Sequence, residues 1–155
     1  MKLAIGSDHA GYRLKEHLGQ LLKSDGHDVI DYGTDTEESV DYPDFAARVG
    51  RAVAAGEADR GVLACGSGNG MAIAANKVRG VRAAVAHDVT SARLACEHNA
   101  ANVCCFGARF LGEQTVDDAI RAYLAAEPEG GRHARRVEKI AAFEREDNED
   151  QETPR

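Results

Sequence analysis

Gly61-Val62-Leu63-Ala64-Cys65 runs directly into Gly66-Ser67-Gly68-Asn69-Gly70 and then into Met71 to Val78. The first five residues form an unbroken apolar run, the pattern of a strand covered on both faces. The next five alternate glycine with Ser67 and Asn69, and the last eight read as a helix. Buried strand, glycine-rich turn and helix make half of a β-α-β unit. Working outward, the same alternation recurs. Lys2 to Asp8 and Val29 to Tyr32 read as strands, joined by a helix with Leu14, Leu18, Leu21 and Leu22 at helical spacing. Pro43 suits the first turn of the next helix, whose stripe is Phe45, Val49 and Val53. Beyond the central turn, Val81 to Ala86 and Val103 to Phe106 read as strands. The helix between them runs from Asp88 to His98, with Asp88 as its N-cap. Helices follow from about Thr115 to Ala126 and from about His133 to Arg145.

Strands alternating with helices at this spacing predict an α/β fold: a doubly wound, Rossmann-like, five-stranded parallel sheet with helices on both faces. The length of 155 residues suits a single domain. Residues 1–145 form it in this reading, and residues 146–155 an acidic disordered tail without large apolar side chains. The formal charge is −7. Glu144 to Arg155 carry six acids and two bases, which leaves a nearly balanced body and argues against a nucleic-acid partner. No apolar run approaches the ~20 residues that span a bilayer, and the start reaches Asp8 too soon for a signal peptide, so no membrane association and a cytoplasmic location are expected.

Ligands on such sheets bind beyond the carboxyl ends of the strands. Three chemically suggestive segments fall there: Ser7-Asp8-His9, Cys65 through Gly70, and Gly107-Ala108-Arg109. Glycine takes positive φ readily, so the backbone N–H groups of Gly66 to Gly70 are able to converge on a negative oxygen or phosphate at the start of a helix. A tight turn without a ligand is the competing reading. The dinucleotide fingerprint fails, with Met71 where its third glycine belongs, and no Gly-Lys-Ser/Thr follows for a triphosphate loop. Six residues beyond Cys65 stands Met71, not the arginine of a cysteine phosphatase loop.

Cys65, at a strand end beside a helix N-terminus, is placed to favour its thiolate and to serve as base or nucleophile. Cys96, Cys104 and Cys105 read as core thiols. Cys104 and Cys105 are consecutive on a strand and point to opposite faces, so they cannot share a metal. No donor set of plausible metal geometry is evident, and neither a metal nor a cofactor is expected. His17, His27 and His87 read as solvated. His9 follows Asp8 as either a turn device or a substrate-orienting pair, and His98-Asn99 is either a helix cap or part of a site. Arg132 and Arg136, four apart on one helix face, are either a solvated face or a phosphate clamp.

Taken together, Gly6-Ser7-Asp8-His9-Ala10-Gly11, Cys65 to Gly70, Ile73-Ala74-Ala75-Asn76-Lys77, Glu97-His98-Asn99 and Gly131-Arg132-His133 with Arg136 resemble the type B ribose-5-phosphate isomerases. That family includes allose- and galactose-6-phosphate isomerases. The resemblance implies a metal-free aldose–ketose isomerase that works through an enediolate on a phosphorylated sugar, in a homodimer with shared active sites or a dimer of dimers. By position, Cys65 matches the base and His98 the ring-opening acid/base, with Asp8 nearby, and Ser67 joins them as a catalytic position. His9, Arg109, Arg132 and Arg136 match sugar-phosphate-binding positions. Gly66, Ser67, Gly68, Asn69 and Gly70 match the anion hole, and Asn99 a hydroxyl-binding residue.

One departure bears on substrate choice. Some members of the family lack the cysteine and carry a glutamate just after the Gly-Asn-Gly turn. This chain combines that turn with Cys65 and has Met71 at the glutamate position, which suggests an altered pocket. A hexose-6-phosphate or rarer-sugar isomerase and a non-catalytic sugar-phosphate sensor are the alternatives. Keeping both Cys65 and His98 speaks against the sensor.

Overall fold

Five strands pair in parallel in the computed structural model, which describes residues 1–152. They are β1 (Lys2–Ser7), β2 (Asp28–Asp31), β3 (Arg60–Cys65), β4 (Ala83–Val85) and β5 (Val103–Gly107), in the spatial order β2-β1-β3-β5-β4. Ser7 lies opposite Ala64 and Cys65 opposite Gly107, so the three central strands end level with one another. The chain leaves β1 toward β2 on one side and returns to β3 on the other. That reversal opens a crevice between the carboxyl ends of β1 and β3.

Six helices cover the sheet: α1 (Tyr12–Ser24), α2 (Tyr42–Ala54), α3 (Asn69–Ala75), α4 (Val89–Asn99), α5 (Glu113–Ala125) and α6 (Arg132–Glu152). The pleat sends alternate strand residues to opposite faces. Leu3, Ile5, Val62, Cys104 and Phe106 meet Leu14, Leu18, Ala95 and Ile120 of α1, α4 and α5. Ala4, Leu63, Cys65, Val103 and Cys105 meet Val49, Val53, Met71 and Ala75 of α2 and α3. The doubly wound single domain is as the sequence implies, and Cys104 and Cys105 do lie in opposite cores. Asp88 caps α4 as expected. Its carboxylate accepts the Ser91 N–H at 2.7 Å, and the Ser91 hydroxyl accepts the Asp88 N–H at 3.1 Å.

Three details depart from the sequence reading. First, α3 stops at Ala75, not Val78, because the Asn76 side chain pairs with both backbone groups of Ala83: its amide donates to the carbonyl at 2.8 Å and accepts the N–H at 2.7 Å. This side chain borders the short edge strand β4. Second, His17 is not simply solvated: its Nε2 lies 2.7 Å from Asp117 Oδ1 and ties α1 to α5. Third, α6 does not end at Arg145 but runs to Glu152, so most of the expected disordered tail is helical. A lack of apolar residues removes the reason to pack, but between His133 and Glu152 there is no Gly or Pro to stop the helix. Residues 153–155 of that tail lie outside the described residues. Among the described residues no helix is long and apolar enough to cross a membrane.

Gly11 is where the loop after β1 presses onto β3. A Cβ there would lie 2.3 Å from the Ala64 carbonyl oxygen and 2.4 Å from its carbon, both backbone atoms that cannot swing aside. Gly11→Ala is expected to lower the unfolding free energy by about 1–3 kcal/mol, the usual cost of overpacking. Gly130→Ala, with open space around its Cβ, should leave the urea midpoint unchanged. Equal midpoints for the two variants would show that the close approach is not a constraint.

Candidate active site

The crevice is occupied by a cavity of about 300 Å³, near the lower end of the range for small-molecule sites. Asp8, His9, Cys65, Gly66, Ser67, Gly70 and Arg109 line it. All come from the three segments expected at the strand ends. Asp8 is buried and fixed, since its Oδ1 accepts the Gly11 N–H at 2.9 Å and its own N–H reaches the Ala64 carbonyl at 3.3 Å. His9 Nδ1 accepts the Val40 N–H at 3.2 Å. A neutral ring therefore carries its proton on Nε2, which is left as the donor.

Gly68 takes φ +81°, a conformation that other residues adopt only with strain, and this turns the chain into α3. In the same turn its N–H donates to Cys65 Sγ at 3.0 Å and fixes the sulfur at the edge of the cavity. The Asn69 N–H donates to Ser67 Oγ at 3.3 Å, so two donors of the loop are already engaged. The Ala108 N–H to Cys65 carbonyl bond at 2.8 Å and the Arg109 N–H to Gly66 carbonyl bond at 3.1 Å bind the loop to the segment after β5. The Arg109 side chain lies across Gly66.

Two rim residues escaped the sequence reading. Tyr42 stacks closely on Gly70 and Phe110 is 72% exposed beside Arg109. Tyr42 follows the acidic loop as the first residue of α2, just before Pro43, and belongs to no motif. Phe110 was detectable only as a large apolar residue next to a candidate arginine. Met71, expected to alter the pocket, is instead fully buried in the α2–α3 core and does not line the cavity. The first turn of α3 points position 71 inward and leaves Gly70 at the surface of the cavity.

The remaining expected residues assemble elsewhere. Helix α4 starts beyond the carboxyl end of β4 and, at 11 residues, carries its last turn roughly 16 Å back toward the amino ends of the strands. His98 and Asn99 sit on that turn. The His98 ring stacks on His133, with centroids 4.1 Å apart and planes 13° from parallel. His133 is buried, its Nε2 accepts from Arg132 Nε at 3.3 Å and stands 3.5 Å from Glu129 Oε2. Arg132 and Arg136 are exposed at the start of α6. Sequence reasoning overlooked His133 and Glu129 as donors. Val137 and Ala141, four and eight residues after His133, were the signal that this face of α6 turns inward. His98, Glu129 and His133 also place three metal-type donors within 4.8 Å of one another, which corrects the expectation that no such set exists.

All four cysteines are free and buried. Burial pushes the Cys96, Cys104 and Cys105 thiols up, Cys104 and Cys105 far beyond the neutral range. Cys65 alone among the four borders the cavity. Because thiolate is the reactive form, iodoacetamide at pH 8 is expected to label Cys65 first and the other three only on unfolding. Peptide mapping checks this. Labelling of Cys104 or Cys105 in the native protein at a similar rate would contradict the burial argument.

Comparison with known proteins shows the family. A family model described as Ribose/Galactose Isomerase matches residues 3–140. Ribose-5-phosphate isomerase B of Escherichia coli is 46% identical over 147 residues, 95% of this chain and 99% of that protein. A solved Clostridium thermocellum ribose-5-phosphate isomerase B superposes with a TM-score of 0.93 at 51% identity, covering 94% of this chain and 99% of the other. A Mycoplasma genitalium ribose-5-phosphate isomerase B, solved with bound ribulose-5-phosphate, gives 0.89 at 40% identity, covering 94% and 97%.

Proposed function

Because the chain belongs to the ribose/galactose isomerase family, we propose that it interconverts ribose 5-phosphate and ribulose 5-phosphate through an enediolate. The observation that carries the reading is the cavity where the Cys65 thiol, the Gly66–Gly70 turn, Asp8, His9 and Arg109 converge. In this reading the Cys65 thiolate takes the proton from C2 of the open-chain aldose and returns it to C1, while the hydroxyl proton passes from O2 to O1. Both carbons lie on one face of the planar intermediate, so a single base serves. The negative charge that develops on the substrate oxygen is met by N–H donors of the Gly66–Gly70 turn, with Ser67 beside them. Asp8 and His9 orient the sugar. Arg109 holds the phosphate together with Arg132 and Arg136, which lie beside His98 at the start of α6 and come with it from a second copy of the chain, and this binding positions the reacting carbons.

His98 opens the sugar ring and Asn99 binds a hydroxyl, and both come from a second copy of the chain. Support for a homodimer with shared sites lies in the topology. Proton transfer needs contact at about 3 Å, and a helix length separates the end of α4 from the strand ends where Cys65 stands.

Two results are expected. Cys65→Ala should lower turnover by about 10²–10⁴-fold, the range for loss of a general base, and abolish exchange of the C2 hydrogen with heavy water while KM changes little. Retained exchange would exclude Cys65 as the base. Mixing Cys65→Ala and His98→Asn chains after co-refolding should restore about a quarter of wild-type activity, since half the dimers are mixed and each has one intact site. No recovery, with mixed dimers verified by mass, would exclude a site shared between chains. Exhaustive chelation should leave turnover intact.

A further inference from the structure

We propose that His98, Glu129 and His133 form a binding site for a borderline divalent cation of the Zn²⁺ type, and that occupancy of this site takes His98 out of catalysis. Among the described residues this is the one group of three such donors. The three side chains come from separately anchored points: His98 from the last turn of α4, His133 from the first turn of α6 and Glu129 from the loop between α5 and α6. That loop is pinned beside α4, because the Glu129 N–H donates to the Glu97 carbonyl at 2.8 Å. Glu97 is itself paired with Arg93 on the same helix.

The chemistry of the donors selects the ion. Two imidazoles and one carboxylate suit Zn²⁺ and similar transition ions, whereas Mg²⁺ and Ca²⁺ prefer oxygen alone. Three protein ligands leave a fourth position for water. His133 Nε2 already presents its lone pair to a cation, the Arg132 guanidinium, with the Glu129 carboxylate 3.5 Å from the same nitrogen. A metal ion would take the place of that guanidinium N–H. The ligand atoms lie within 4.8 Å of one another, somewhat wider than the spacing about an ion with bonds of 2.0–2.2 Å. Closing the gap requires the two rings to splay from their 13° stack so that each nitrogen lone pair faces the ion. Glu129 and His98 are not buried, so an ion has access.

A His98 nitrogen bound to metal cannot carry a proton. The inhibitory half of the proposal rests on the reading of His98 as the ring-opening group, whereas binding does not. The test therefore has two separate readouts on the chelator-stripped full chain. In competition against a chromophoric chelator, ZnCl₂ should bind at one ion per chain and MgCl₂ should not. His133→Ala and Glu129→Gln should each weaken Zn²⁺ binding by at least about tenfold, and Cys65→Ala should not. Wild type that binds no Zn²⁺, or variants that bind as tightly as wild type, would overturn the site. In the isomerase assay with ribose 5-phosphate, Zn²⁺ should inhibit over the concentration range in which it binds, and EDTA should reverse it. Glu129→Gln should keep metal-free turnover and need about tenfold more Zn²⁺ for the same inhibition. Inhibition unaltered in Glu129→Gln would move the effect to the Cys65 thiol and overturn the proposal. Full activity with Zn²⁺ bound would overturn the inhibitory link alone, and turnover of the metal-free wild type tests the isomerase reading independently.

Discussion

All five strands run the same way, so every helix between two strands must carry the chain back from the carboxyl edge of the sheet to the amino edge. This one constraint sorts the polar groups of the molecule by where they fall along an element. Residues just after β1, β3 and β5 meet in the cavity above the sheet. Residues at the end of α4 are delivered to the opposite edge, where α6 begins. The His98–His133 stack and the Cys65 turn are therefore two separate constructions within one chain. No side-chain rotation bridges a helix length, which is why the functional reading needs a second copy of the chain.

At the carboxyl edge, precision comes from backbone contacts more than from side chains. Gly11 lets the Asp8 loop rest directly on the last residues of β3, and Gly68 reverses the chain tightly enough to aim its own N–H at Cys65 Sγ. The bonds from Ala108 and Arg109 back to Cys65 and Gly66 close the third side. A thiol held this way has few alternative rotamers and a fixed N–H partner. Preorganisation of this kind would serve the proposed proton transfer, because donors that are already oriented need no reorganisation when charge develops.

The architecture was legible in the sequence because each strand to helix transition is marked locally. Apolar runs give way to Ser7-Asp8, Gly33, Gly66 and Gly107, and Asp88 and Pro43 mark helix starts. Those markers also located the cavity, since the polar residues after the first, third and fifth strands have to meet. What the sequence did not display is pairing across elements. That Asn76 would border β4 and cut α3 short depends on the edge position of β4, which no local pattern encodes. The His98–His133–Glu129 cluster likewise depends on how α6 lies across α4. The tail differs from its sequence expectation for a related reason: a lack of apolar residues does not by itself mean a lack of structure, and the stretch to Glu152 has no Gly or Pro to end a helix.

Met71 shows how a single position follows from this packing. Its side chain is fully buried among α2, α3 and β3, in the same core that holds Cys65, while its neighbour Gly70 faces the cavity beneath Tyr42. The residue at 71 therefore supports the glycine turn from below. A carboxylate placed there in this packing would be buried among apolar groups with its charge penalised, unless the turn shifted to bring it to the cavity surface. A cysteine at 65 needs no such shift, because it ends the strand and already has the Gly68 N–H beside it. The two residues thus form one consistent choice: an apolar brace at 71 keeps the turn in the conformation that serves a thiol at 65.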